Sequence, residues 1–226
     1  MQSPELRGKP ATLSDNAATY HSHVRSDVFP FLPKGGGTLL DIGGGDGATA
    51  SQIKRRGLAE KVGVADMVPT APGAELDFDY QGDLTAEGFI ERIGAEQGPF
   101  DTILACDILE HFVDPWTIVK RLHAQLKSGG ALVASIPNVR HRSVSTGLLV
   151  RGKWNYVESG ILDRTHLRFF VRETACELME SSGLKIEEVA SLPSGSRIDR
   201  TLVKLPLPGI RSLAALQYAI RARRVD

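Results

Sequence analysis

The stretch at residues 38–50, TLLDIGGGDGATA, limits the fold more than any other part of the chain. An apolar run ends in an aspartate, a glycine cluster and residues able to open a helix, which predicts a strand, a tight turn and a helix N-terminus. Gly43, Gly45 and Gly47 permit a sharp backbone turn and admit a ligand where a Cβ would collide. Free N–H groups of the first helical turn then face that ligand.

Gly43-x-Gly45-x-x-Ala48 fits a dinucleotide fingerprint only loosely, and no Gly-Lys-Ser/Thr follows to make a phosphate-binding loop. Asp41 argues for another ligand. A carboxylate at the strand end repels a pyrophosphate but attracts an ammonium, and S-adenosylmethionine (SAM) carries one on its methionine end beside a sulfonium. A glycine-rich turn without a ligand is the plain alternative, and the downstream residues weigh against it.

Strand and helix signals alternate from there to residue 138. A helix is predicted over 48–56, closed by Gly57. Strands follow over 61–65, 78–81, 100–106 and 131–138, with helices over 86–93 and 115–127, the latter opened by Pro115. This alternation predicts a Rossmann-like, doubly wound α/β sheet that is mostly parallel, with ligands beyond the carboxyl ends of the strands. Asp41, Asp66, Asp83, Asp107 and Asn138 all occupy such ends. Asp66 follows Gly45 by about twenty residues, the spacing of a carboxylate that accepts ribose hydroxyls; a solvated turn residue is the alternative. Asp83 is placed to accept from an adenine amino group.

The segment 139–172 is basic and aromatic, and too long for a simple connection, which predicts a substrate-binding segment. Trp154, Tyr156, Phe169 and Phe170 are candidates for a stacking platform, with core packing the alternative for the two phenylalanines. A helix over 173–182, a strand over 184–189 and a closing strand over 216–223, antiparallel to the sheet, complete the chain; residues 192–215 carry mixed signals and no assignment. At the other end, residues 1–15 read as a polar tail and 16–32 as a short helix before Pro33. Residues 1–36 are thus a tail and lid, from which Tyr20 and Arg25 either fold over the cofactor or pack on the surface.

Lys and Arg total 27, as do Asp and Glu, so no global field recruits nucleic acid or an anionic membrane. Cys106 and Cys176 make neither a disulfide framework nor a metal finger. No apolar run approaches the ~20 residues of a membrane span. The expectation is a single cytoplasmic domain over 1–226.

Transfer of a methyl group to oxygen requires removal of a hydroxyl proton, by a positioned base or by a metal that acidifies the bound oxygen. Asp107, Glu110 and His111 stand at i, i+3 and i+4, one face of a helix if the chain turns helical after the strand. Asp163 and His166 lie in the substrate segment, within reach of the same place. Two carboxylates and two imidazoles suit a divalent ion with positions left for substrate oxygens. Without an ion, His166 or His111 is the general base. A helix cap and core contact is the structural alternative for Glu110 and His111.

These motifs resemble those of class I SAM-dependent methyltransferases: LLDIGGGDG, then Gly82-Asp83, FDTILACDILEH, LKSGGALVASIPN and GILDRTHLRFF, in order over roughly residues 20–190. The greatest likeness is to bacterial O-methyltransferases associated with glycans and saccharides. The resemblance implies Asp41, Gly43, Gly45 and Gly47 at the methionine moiety, Asp66 at the ribose and Asp83 at the adenine. Arg25, Tyr20 and Asp107 complete the cofactor set. Gly44 stands where such enzymes often carry cysteine. Relatives with an acid-x-x-Glu-His motif and a later histidine use a metal, which implies Asp107, Glu110, His111 and His166 as ligands of Mg²⁺ or Mn²⁺ and His166, His111 and Asp163 as the catalytic group. The implied activity is O-methylation of a saccharide or glycoconjugate diol. Methylation of a phenolic or polyketide hydroxyl is the second reading. A non-catalytic cofactor-binding partner is the third. A homodimer is an open expectation.

Overall fold

The computed structural model describes residues 24–226, with β1 (Thr38–Ile42) in the interior of the sheet. β2 (Lys61–Asp66) and β4 (Phe100–Cys106) flank it in parallel, so that Asp41 stands opposite Val64 on one side and Leu104 on the other. β3 (Phe78–Gln81) adds in parallel to β2, and β5 (Leu126–Pro137) to β4. With β6 (Lys185–Pro193) and β7 (Ala215–Arg223) the order is β3-β2-β1-β4-β5-β7-β6, β7 running antiparallel to both neighbours. The mostly parallel, doubly wound sheet and its antiparallel C-terminal strand therefore match the sequence expectation.

The helices in chain order are α1 (Ala48–Arg55), α2 (Phe89–Gln97), α3 (Pro115–Gln125), α4 (Arg142–Arg151), α5 (Arg172–Glu180), α6 (Arg197–Leu202) and α7 (Pro208–Ala214). Successive strand residues point to opposite faces, so an all-apolar strand can serve two cores. Leu40, Ile42, Ile103 and Leu132 pack with Ile93 of α2, Leu122 of α3 and Leu178 of α5. Their neighbours Leu39, Val62, Leu104 and Val133 pack with Ile53 of α1 and with Val28 and Phe31.

Several boundaries differ from the sequence expectation for local reasons. The helix expected over 86–93 begins only at Phe89, because Asp83 holds a turn: its carboxylate accepts the N–H and hydroxyl of Thr85, and its carbonyl accepts the Ala86 N–H. Of the helix expected over 16–32, residues 16–23, Tyr20 among them, lie outside the described residues, and the described part holds a 3₁₀ turn, Ser26–Phe31, with Pro30 inside it. Residues 139–172 open with α4 and continue without regular structure to α5, while 192–215 hold the short α6 and α7. α3 begins as expected, with Pro115 in its first turn and Asp114 accepting the Thr117 N–H at 3.1 Å.

Candidate cofactor and acceptor site

The glycine turn joins β1 to α1 at the carboxyl edge of the sheet. Gly43 adopts φ +68°, and a Cβ there would lie 2.6 Å from Cγ1 of Ile108, so both backbone and space demand glycine. The Gly43 N–H donates to the carbonyl of Ala65 at 2.8 Å. Asp66, at the end of β2, braces the same turn: Oδ2 accepts the Gly45 N–H at 2.8 Å and Oδ1 the Val68 N–H at 3.0 Å. Its oxygens retain further lone pairs, but its first duty is to fix the loop.

Asp41 is 2 % exposed, and its Oδ2 has no hydrogen-bond partner among the described residues. Burial, aided by the Asp66 charge and opposed by Arg25, pushes its carboxyl up to about 8. A buried carboxylate without a partner is costly. An ammonium group supplies what Asp41 lacks, so the residues present fit the methionine end of SAM. Asp83 is exposed beyond β3, held below the usual carboxylate range by the hydroxyl and N–H of Thr85.

Asp107 follows β4 with φ +50°, a conformation rare for a side-chain-bearing residue. This turns its carboxylate onto Arg25, the Ser135 hydroxyl at 3.2 Å and the Gln217 amide at 2.8 Å. Arg25 also donates to Asp27 and to Gln217. The N-terminal segment is thereby fastened to the C-terminal end of β4 and the N-terminal end of the antiparallel β7.

After Asp107 the chain makes a three-residue 3₁₀ turn, Leu109–His111, rather than the expected α-helix. The i, i+3, i+4 argument therefore fails for Asp107, whose side chain faces elsewhere. Glu110, His111 and His166 do converge, with one ligand atom from each lying within 4.8 Å of the others. Glu110 is 1 % exposed and neither carboxylate oxygen has a hydrogen-bond partner among the described residues. Desolvation, then the nearby Asp107 charge, raises its carboxyl well above the ordinary range.

Both imidazoles are fixed through their other nitrogen. His166 Nδ1 lies 3.0 Å from the Ile161 carbonyl, and His111 Nδ1 3.2 Å from that of Thr165. A carbonyl only accepts, so each Nδ1 carries a proton, and in the neutral ring it is Nε2 that holds the lone pair. Metal-binding histidines are oriented in this way. Burial, and then His166, also lowers the His111 pKa, which favours the neutral form. The Glu110 carbonyl accepts the N–H groups of Leu167 and Arg168, which lashes the DRTHLRFF run to the 3₁₀ turn.

Asp163 has a supporting part instead of a place in this trio. Its Oδ1 accepts the Thr165 N–H at 2.8 Å and hydroxyl at 2.6 Å, and its carbonyl accepts the His166 N–H at 3.0 Å. Phe169 packs against Trp154, Tyr156 and His166 at centroid distances of 5.2, 6.4 and 6.4 Å, whereas Phe170 is core. Sequence reasoning missed Gln217, Ser135 and the two histidine-orienting carbonyls. Gln217 and Ser135 carry no motif, and carbonyls are common to every residue.

A family profile described as a methyltransferase domain matches residues 17–189. A ubiquinone biosynthesis O-methyltransferase of Cereibacter sphaeroides is 31 % identical over 164 residues, covering 70 % of this chain and 64 % of the relative. One of Xanthomonas euvesicatoria is 28 % identical over 172 residues, covering 71 % and 68 % respectively. The chain thus spans about two thirds of the length of these relatives. Among solved structures, a 1,6-didemethyltoxoflavin-N1-methyltransferase of Burkholderia thailandensis with bound S-adenosylhomocysteine shares the fold. Its TM-score is 0.58 at 15 % identity, covering 98 % of this chain and 94 % of the other.

Proposed function

The chain belongs to the methyltransferase domain family and is a SAM-dependent methyltransferase; from that premise we propose that it methylates one hydroxyl of a small ring compound that bears a second, adjacent oxygen. The carrying observation is Glu110, a buried carboxylate without a hydrogen-bond partner among the described residues, with a ring nitrogen of His111 and one of His166 within 4.8 Å. That donor set, one carboxylate and two imidazoles, suits a divalent ion with several open positions. A bound ion would acidify a coordinated hydroxyl and hold the neighbouring oxygen in place. Imidazole donors favour Mn²⁺ over Mg²⁺, which prefers oxygen ligands.

The protein's own groups supply the rest. Asp41 holds the ammonium of SAM, and the turn at Gly43 lets the methionine moiety approach the backbone. Asp83 takes the adenine and the spare lone pairs of Asp66 the ribose. Arg25, paired with Asp107, closes the site from the N-terminal side. In the absence of an ion, His166 Nε2 is the base, its ring held by the Ile161 carbonyl. Segment 139–172 binds the acceptor, with Trp154, Tyr156 and Phe169 as its aromatic wall.

The names of the relatives, ubiquinone biosynthesis O-methyltransferases, favour a phenolic diol over the saccharide implied by the DRTHLRFF resemblance. The test is methyl transfer from labelled SAM to a catechol, a monohydroxy phenol and a saccharide diol, before and after chelation with Mn²⁺ add-back. The catechol is expected to be preferred, in a chelator-sensitive way. Turnover confined to saccharides or to nitrogen acceptors would reject the assignment.

A further inference from the structure

The turn that carries Asp83 has little to hold it from within. Asp83 Oδ1 accepts the Thr85 N–H and hydroxyl, both at 2.7 Å, and the Asp83 carbonyl accepts the Ala86 N–H at 3.0 Å. Of residues 83–88 only Leu84 is buried. A carboxylate that is to meet one group of a ligand has to be held to a fraction of an ångström.

Arg121 of α3, 37 residues beyond Leu84, supplies that hold. Its Nη1 donates to the Leu84 carbonyl at 3.0 Å and its Nη2 to the Ala86 carbonyl at 2.9 Å. Nε and Nη2 also grip the two oxygens of Glu91, in the first turn of α2, at 2.8 and 2.7 Å. The Arg121 side chain is only 17 % exposed. An ion pair that merely joined α2 to α3 would need Glu91 alone. Here the same guanidinium takes the two carbonyls on either side of Thr85, the residue to which the Asp83 carboxylate is bonded. The planar fork thus sets the path of the peptides that aim Asp83.

We propose that Arg121 is a positioning residue for the adenine of SAM, acting through the Leu84 and Ala86 carbonyls to keep the Asp83 carboxylate where it accepts from the adenine amino group. The role rests on Asp83 as the adenine acceptor. Lysine at position 121 keeps the charge, but its single ammonium cannot span Glu91 and both carbonyls. The loss should therefore follow the fork and not the charge, and should fall on cofactor recognition and not on the methyl-transfer step.

Calorimetry of the full chain tests this with S-adenosylhomocysteine and its hypoxanthine analogue, which has a carbonyl in place of the adenine amino group. The wild type is expected to bind the adenine compound at least ~10-fold more tightly, the scale of one hydrogen bond to a charged group. Arg121→Lys and Arg121→Met should each bring that ratio within about twofold and raise the KM for SAM ~10-fold, with kcat at saturating SAM near the wild-type value. Glu91→Gln leaves both carbonyl bonds in place and should keep the wild-type ratio, which a role limited to joining the helices would not allow if the arginine variants lose it. A wild-type ratio near one would remove Asp83 from the adenine, and Arg121 with it. A discriminating wild type whose ratio survives in folded Arg121→Lys or Arg121→Met would overturn the role of Arg121 alone and leave Asp83 in place.

Discussion

His166 Nε2 lies 3.8 Å from Glu110 Oε1, beyond hydrogen-bond distance, and neither Glu110 oxygen has a hydrogen-bond partner among the described residues. The Nδ1 proton of the histidine goes to the Ile161 carbonyl, and a carboxylate, once ionised, only accepts. Two lone-pair-bearing atoms facing each other inside a protein repel unless a cation or a proton comes between them. This pair defines the chemistry of the acceptor side.

Glu110→Gln keeps the shape and removes the charge. Methyl transfer is expected to fall at least ~100-fold, the scale of losing a ligand or its immediate support, with SAM affinity unchanged. In wild-type protein, Mn²⁺ titration followed by electron paramagnetic resonance should report a bound ion that the variant lacks. Activity within twofold of wild type, with chelator-resistant turnover, would return Glu110 to a structural role.

Asp41 makes stability depend on pH in the opposite sense to an ordinary salt-bridged carboxylate. Its folded value of about 8 exceeds the ordinary 3.8, so the folded protein binds a proton more tightly than the unfolded chain. This contribution is fully present below about pH 4 and is lost as pH rises toward 8, at up to ~1.4 kcal/mol per pH unit. Chemical denaturation of ligand-free protein at pH 5, 6.5 and 8 should give a falling series, flattened in Asp41→Asn. The same variant should bind SAM ~100-fold more weakly by calorimetry, because the ammonium loses a buried charged partner. A pH series identical in the two proteins would contradict the raised carboxyl.

Gly43→Ala places a Cβ 2.6 Å from Cγ1 of Ile108 at a φ of +68°. The left-handed backbone and the overpacked contact together should cost ~2–4 kcal/mol. Ile108→Ala in the same chain relieves only the contact and should recover part of the loss. A thermal midpoint equal to wild type for the single variant would mean that the turn is not as tight as drawn.

Arg25→Ala strands the Asp107 carboxylate, which is mostly buried. Removing one partner of such a pair should cost ~2–3 kcal/mol, less than the full value for a dry site since Asp107 keeps Gln217 and Ser135. Arg25→Ala with Asp107→Asn should recover more than half of that. Simple additivity in the double variant would show that the two residues do not act as a pair.

The sheet was readable because its signal is local. Apolar runs of strand length, glycine turns and helix caps lie within a few residues of one another, and their alternation admits essentially one α/β arrangement. β3 and β4 match the sequence expectation residue for residue. The strand-end acids were likewise legible as a group, since a parallel sheet gathers its carboxyl ends along one edge.

The chain by itself thus determined a doubly wound sheet, a glycine turn under Asp41 and a candidate set of acids and histidines. Tertiary structure alone decided which of them meet. A left-handed Asp107 and a 3₁₀ turn replaced the expected helix, sending Asp107 to Arg25 and leaving Glu110 with His111 and His166. Likewise, Asp199 meets His141 and Arg142, 58 and 57 residues earlier in the chain, only through the tertiary fold. Patterns along a chain record backbone period and burial, whereas side-chain partners are chosen by backbone dihedrals and long-range packing that no short window contains.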